Sequence, residues 1–434
     1  MAANNENERT TRKPLDAAGP LPSHAVAVLL VGSGIMLVGN GLFSTLLGVR
    51  ANIADFSPAV TGTVMSGYFI GFVVGAFLCT RFVEQVGHIR TFSALAAIIA
   101  AIAITHAMVV HPLAWLVLRL LTGLSMVGLF LVIESWLNAE AQSGMRGRVF
   151  ATYMVVNLAA MALGQLVLAV GDPKSFVPFG LVTILFAVGL VPVALARIQA
   201  PVPQEAVGLR LRRLYVVSPV GILGCFTAGI VTGGFWGMGS VFAKQIGLSD
   251  ASVGVLMFAT VVGGILSQWP IGRLSDFFDR RKMIGVVAFL AAGFALSVCL
   301  LANNSLHTLI GASAFFGAFM FPLYSLCVAS AHDTLPPGHA LAATRGLMLV
   351  YGVGAIIGPL SAGVVMNLFS ARSMFAYFAI VYVLTGLFVA YRLTRRNPVP
   401  SDQRSAFVPM VRTSQEGIEM AVEAAHPQNY DPTA

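Results

Sequence analysis

Two ionisable residues sit inside one long apolar stretch, where charge is costly and therefore useful. Arg119 lies about seven residues within the run 112–137, roughly 10 Å deep at the rise of a helix. A cation there costs about 2.5–3.5 kcal/mol to insert and normally faces a bundle interior. It could bind an anionic or carboxylate-bearing ligand or take part in coupling; the alternative is a side chain that snorkels to the interface. Glu134, near the other end of the run, is the only carboxylate within a predicted span. It could carry a proton, or close a gate through an ion pair or hydrogen bond, with Asn138 and His332 as further coupling or gate candidates. Fifteen residues separate Arg119 from Glu134, over about 20 Å of helix, so each needs partners from elsewhere.

Other polar and aromatic groups interrupt the apolar runs: Asn40, Asn157, Gln165, Trp236, Gln268, Tyr324 and Tyr351. They are candidates for lining a central cavity, and hydrogen bonding between helices is the competing role for each. No metal-ligand cluster is expected, since His106, His111 and His307 are placed near helix ends. Cys79, Cys225, Cys299 and Cys327 fall in apolar runs and read as small buried hydrophobes, not disulfide partners. Neither H-E-x-x-H nor G-x-S-x-G occurs, so no enzyme chemistry and no cofactor is expected.

The elements that carry these residues follow from composition. The 434 residues are 57% hydrophobic and 10% charged, too apolar for a water-soluble fold of this length. Runs long enough to cross a bilayer lie at 24–47, 59–80, 91–110, 112–137, 149–170 and 175–196, and again at 215–241, 252–271, 283–302, 306–330, 342–369 and 373–394. With the N-terminus inside, thirteen basic residues fall in inner loops and four in outer loops. Both termini are therefore expected in the cytoplasm, and the net charge of +8 reads as a topology signal with no nucleic-acid partner. The chain also repeats itself. Shifted by 192, Gly41, Phe43, Gly62, Gly71, Arg81, Glu84 and Arg90 meet Gly233, Phe235, Gly254, Gly263, Arg273, Asp276 and Lys282; shifted by 194, Val156, Asn157 and Gly164 meet Val350, Tyr351 and Gly358.

The stretch from Gly272 to Lys282 resembles the signature loop of the major facilitator superfamily, G-x-x-x-D-x-x-G-R-R/K, with Asp279 where the second glycine is expected. The first-half copy keeps Glu84, Gly87 and Arg90 but has Thr80 at the leading glycine. Arg119 and Gly123 resemble the R-x-x-x-G core of that family's fourth-helix motif. The box Glu134–Asn138, with Phe321–Ser325 and His332, is similar to a bacterial branch often called YcaD-like, over nearly the whole chain. The resemblance implies a cytoplasmic latch made by Glu84, Gly87, Arg90, Gly272, Asp276, Arg280 and Arg281, with Glu140, Arg146, Asp333 and Arg345 as partners. Simple topological anchoring is the competing role for the basic residues. Gly354, Gly358, Pro359 and Gly363 in the eleventh span permit close packing and a bend.

The expected fold is thus an all-α integral membrane protein, twelve transmembrane helices in two pseudo-symmetric six-helix bundles. Its divisions are a disordered cytoplasmic tail (1–22), a first bundle (23–197), a cytoplasmic connector (198–214), a second bundle (215–396) and a cytoplasmic tail (397–434). The implied function is a permease of the inner membrane that moves a small solute by alternating access, with protons as a candidate coupling ion. The lipid bilayer and a small-molecule substrate are its expected partners, and a monomer its expected state. The alternative is a non-transporting membrane sensor that keeps the permease fold.

Overall fold

Apolar runs of about 20 residues leave their backbone only one way to satisfy itself in lipid, and the chain takes it throughout. The computed structural model describes residues 24–141, 145–195, 211–335, 339–395, 407–410 and 420–422. The predicted tail 1–22 lies outside the described residues, as do most of the predicted connector and most of the predicted tail 397–434. In the first half the helices are α1 (His24–Ile53), α2 (Pro58–Val86), α3 (His88–Met108), α4 (Pro112–Glu140), α5 (Arg146–Leu166) and α6 (Val177–Leu195). The second half has α7 (Leu211–Val217), α8 (Pro219–Gln245), α9 (Asp250–Phe277), α10 (Arg280–Leu301), α11 (Leu306–Met320), α12 (Pro322–His332), α13 (Ala340–Leu368) and α14 (Ser373–Leu393). Twelve spans result among the described residues, α11 and α12 together forming the tenth.

Three details depart from the sequence reading. The connector predicted to reach residue 214 ends in a short helix, α7, because Leu211–Val217 is followed by Ser218 and Pro219, which start the next span afresh. The tenth span, expected as one helix, is broken at Phe321, since Pro322 supplies no N–H to the preceding turn. Finally, Asp279 does what its sequence position left open. It sits at φ −58° and its carboxylate accepts the N–H of Arg281 (2.9 Å), so it caps α10, whereas its repeat counterpart Gly87 turns at φ +92°. One half solves the turn with a side chain, the other with an unencumbered backbone.

Small residues set the packing, as expected where lipid removes the hydrophobic drive between helices. A Cβ on Gly71 would strike the carbonyl of Leu120, and one on Gly123 that of Tyr68, which locks α2 to α4. In the second half Gly263 meets the carbonyl of Ala314 and Gly317 that of Thr260, which locks α9 to α11 at the repeat-equivalent positions. The duplication is therefore structural as well as sequential. Spans seven and ten bury 83% and 78% of their most apolar stretch, against 33% for span six and 39% for span nine. The first pair forms the axis; the second faces lipid with side chains such as Val188, Val191 and Leu300.

Successive spans alternate in direction, so Arg81, Arg90, Arg146, Arg273, Arg280 and Arg345 gather at one end of the bundle, called here the basic end. At the opposite end the two halves touch closely. Gly62 lies on the carbonyl of Pro359, Gly363 on that of Pro58, Gly48 against the hydroxyl of Ser240, and Gly254 on the carbonyl of Gln165. These contacts join α2 to α13, α1 to α8 and α5 to α9.

Candidate solute cavity

With the opposite end closed, the space between the halves opens toward the basic end. A cavity of about 100 Å³ begins in mid-bundle beside Phe69, Trp236 and Ala355 and extends to Phe77, Arg345 and Met410. Its wall comes from α2 and α4 of one half and α8, α12 and α13 of the other. Aromatic rings dominate it: Tyr324 and Tyr351 pack with centroids 4.9 Å apart, and Trp236 lies 6.3 Å from Phe321. Arg345 and Thr232 add the polar groups, and among the described residues the lining includes no carboxylate.

Phe69 and Trp236 also border a second, smaller pocket of about 10 Å³, room for roughly one water, lined by Asn40, Ser44, Tyr68, Arg119 and Met161. Arg119 is 3% exposed, so it does not snorkel. Its guanidinium lies over the ring of Tyr68, 4.6 Å from the centroid, where the ring's negative face offsets part of the desolvation. Asn40 donates to the thioether of Met161 (3.4 Å), and Ser44 reaches across the halves to the carbonyl of Trp236 (3.3 Å).

Of the predicted cavity residues, Asn40, Arg119, Trp236, Tyr324 and Tyr351 line one pocket or the other. Gln165 does not: its amide donates to the carbonyls of Gly41 (3.0 Å) and Met161 (2.9 Å) and accepts from Thr45, so it joins α1 to α5. Asn157 and Gln268 are buried but line neither pocket.

Glu134 is fully buried and accepts a hydrogen bond from the hydroxyl of Tyr153 (3.1 Å) on α5. Tyr153 was missed by sequence reasoning, although a tyrosine in an apolar span must place its hydroxyl somewhere. Asn138 follows one turn later, half-buried. His332, its repeat counterpart, bonds the hydroxyl of Thr344 (2.6 Å), which ties α12 to α13.

The signature loop forms a compact ion cluster within the second half. Arg280, 2% exposed, bonds Asp276 (2.8 Å), Asp333 (2.7 Å) and the carbonyl of Ala329 (3.2 Å). Arg281 folds back onto Asp279 (3.1 Å). In the first-half loop Glu84 and Arg90 are exposed, and the position equivalent to Arg280 is His88, bonded to Ser135 (3.2 Å). Glu140 and Arg146 stand half-buried at the basic end, and Arg345 lines the cavity mouth.

Known proteins share both the sequence and this architecture. Residues 221–418 match the profile of the Major Facilitator Superfamily. The uncharacterized MFS-type transporter YcaD of Escherichia coli O17:K52:H18 (strain UMN026 / ExPEC) is 29% identical over 360 residues, covering 82% of this chain and 92% of that protein. The chain is therefore similar to the major facilitator superfamily in both sequence and fold. A YcaD of Salmonella newport (strain SL254) matches at the same 29% over 366 residues, covering 82% and 92%. Among solved structures, the nucleoside transporter NupG superposes with a TM-score of 0.71 at 15% identity, covering 86% of this chain and 100% of that one. A bacterial homolog of the human lysosomal transporter Spinster, in an inward-facing and unoccupied conformation, gives 0.66 at 12%, covering 96% and 100%. These likenesses and the twelve apolar helices among the described residues support a multi-pass bacterial membrane transporter.

Proposed function

We propose that the chain is a secondary active transporter of the inner membrane that moves a small amphipathic organic anion by alternating access. The observation that carries this reading is the cavity between the halves: a wall of aromatic and aliphatic side chains, a cation near its mouth at Arg345, a buried cation beside its inner end at Arg119, and no carboxylate in its lining among the described residues. An apolar body would replace water against Phe69, Phe72, Phe321 and Tyr324, at about 25 cal/mol per Å² buried. An anionic head would find Arg119, already desolvated, where a charge pair is worth far more than in water. A cationic solute would meet the charge of Arg119 and Arg345, and a strongly hydrated one would lose its water against this wall.

On this reading the basic end is cytoplasmic, by the excess of arginine there, and the two halves rock about the cavity. Glu134, buried and held by Tyr153, is the group proposed to couple a proton to the solute.

The test is uptake and export by the purified protein in liposomes, with a panel of aromatic carboxylates and their uncharged esters. Wild type should move the acids in preference to the esters. Arg119→Ala should lower acid transport at least about tenfold, a loss of ~1.4 kcal/mol, at normal expression. Equal transport of acids by Arg119→Ala and wild type would remove the anion from the reading.

A further inference from the structure

The segment Phe407–Met410 runs along the basic end without regular structure, and Met410 forms part of the cavity wall. Three groups hold it. The ring of Phe407 lies directly on Gly272, where a Cβ would come within 2.9 Å of the ring's Cγ and closer still to its edge, so only a glycine leaves space. The N–H of Phe407 donates to the carboxylate of Asp276 (3.2 Å). Met410, 3% exposed, donates its N–H to the hydroxyl of Ser325 (2.9 Å), which in turn donates to the carbonyl of Met410 (3.1 Å).

The pairing with Ser325 is the telling one. A backbone pushed into an apolar cavity must satisfy its own N–H and C=O, and one hydroxyl serves both for Met410. Pro409 has no N–H to satisfy, and a residue that precedes proline, as Val408 does, favours an extended backbone. The seat exists in one half only. The repeat counterparts of Gly272 and Asp276 are Thr80, which carries a Cβ, and Glu84, which is exposed; Leu131 stands opposite Ser325 in the repeat.

We propose that residues 407–410 are a built-in plug, seated on Gly272, Asp276 and Ser325, that blocks solute entry from the basic end until it is displaced. While seated it also occupies Asp276, the carboxylate that a latch between the halves would use.

Thiol labelling of the purified full-length chain in detergent tests this without knowledge of the solute. The four native cysteines are replaced by alanine, and Met348→Cys in the cavity wall is probed with a bulky maleimide; Asn303→Cys, exposed at the opposite end, is the control. Met410→Asp, Ser325→Ala and a chain ending at residue 406 should each speed labelling at 348 by about tenfold, the effect of removing roughly 1.4 kcal/mol of seating energy, and leave 303 unchanged. A peptide of residues 404–412 added to the shortened chain should restore protection. If Met410→Asp does not elute as folded protein, Ser325→Ala and the shortened chain decide. Unchanged labelling at 348 in folded variants, with no effect of the peptide, overturns the proposal.

Discussion

Arg119 and Glu134 were legible in the sequence because a charge inside an apolar run has so few uses, but their partners were not. Tyr68 is 51 residues from Arg119 and Tyr153 is 19 from Glu134, and nothing in the local pattern of α2 or α5 marks either ring. The same limit explains the glutamines. Gln165 and Gln268 look alike in sequence, yet the first is consumed by Gly41, Met161 and Thr45 whereas the second is buried on α9 away from both pockets. At this scale the sharpest prediction concerns Glu134. Glu134→Gln keeps the acceptor for the Tyr153 hydroxyl but cannot ionise, so solute exchange across liposomes should persist at close to the wild-type rate. Accumulation driven by an imposed pH gradient should fall to the level that exchange reaches without a gradient. Accumulation that survives the substitution would take the proton role away from Glu134.

Helix pairs are where the repeat becomes energetic. Gly71, Gly123, Gly263 and Gly317 each face a backbone carbonyl of the partner helix, which cannot retreat without separating the pair. Gly71→Ala or Gly263→Ala should therefore destabilise the protein by about 1–3 kcal/mol, the usual cost of overpacking, seen as a lowered melting temperature in detergent. Gly293→Ala and Gly311→Ala, with open space where the methyl would go, should be neutral or slightly stabilising, since alanine is the better helix former. If all four behave alike, the close approach of the helices is not what those glycines serve. The alignment of the halves flagged Gly71 and Gly263 but could not say that carbonyls lay opposite them. Hydropathy likewise ran straight through Phe321 and Pro322, because both are apolar enough to continue a span that the backbone interrupts.

For the molecule as a whole, twelve spans and their pairing into halves could be read from hydropathy and repetition. The short stretch Phe407–Met410 could not: four residues are too few to show a period, and the contacts of Phe407 lie 131 residues away at Asp276 and farther still at Gly272. Closure at the opposite end is equally long-range, and it yields a prediction. Gly62→Leu puts a branched side chain where Pro359 now touches, so the halves should part there. Transport should drop at least about tenfold, equivalent to ~1.4 kcal/mol, and a cysteine at Ser240, now 1% exposed, should become reactive. An inert Ser240→Cys in the folded Gly62→Leu protein would argue against a joint at that site. Because the Gly62–Pro359 and Gly363–Pro58 contacts join uncharged backbone to uncharged backbone, parting them strips no ion of its counter-charge. Added electrolyte should leave that gate almost untouched, while at the other end it reaches the guanidinium–carboxylate knot around Arg280 through Asp276, the partner that stands in water, so ionic strength would act on the two ends of one transporter unequally.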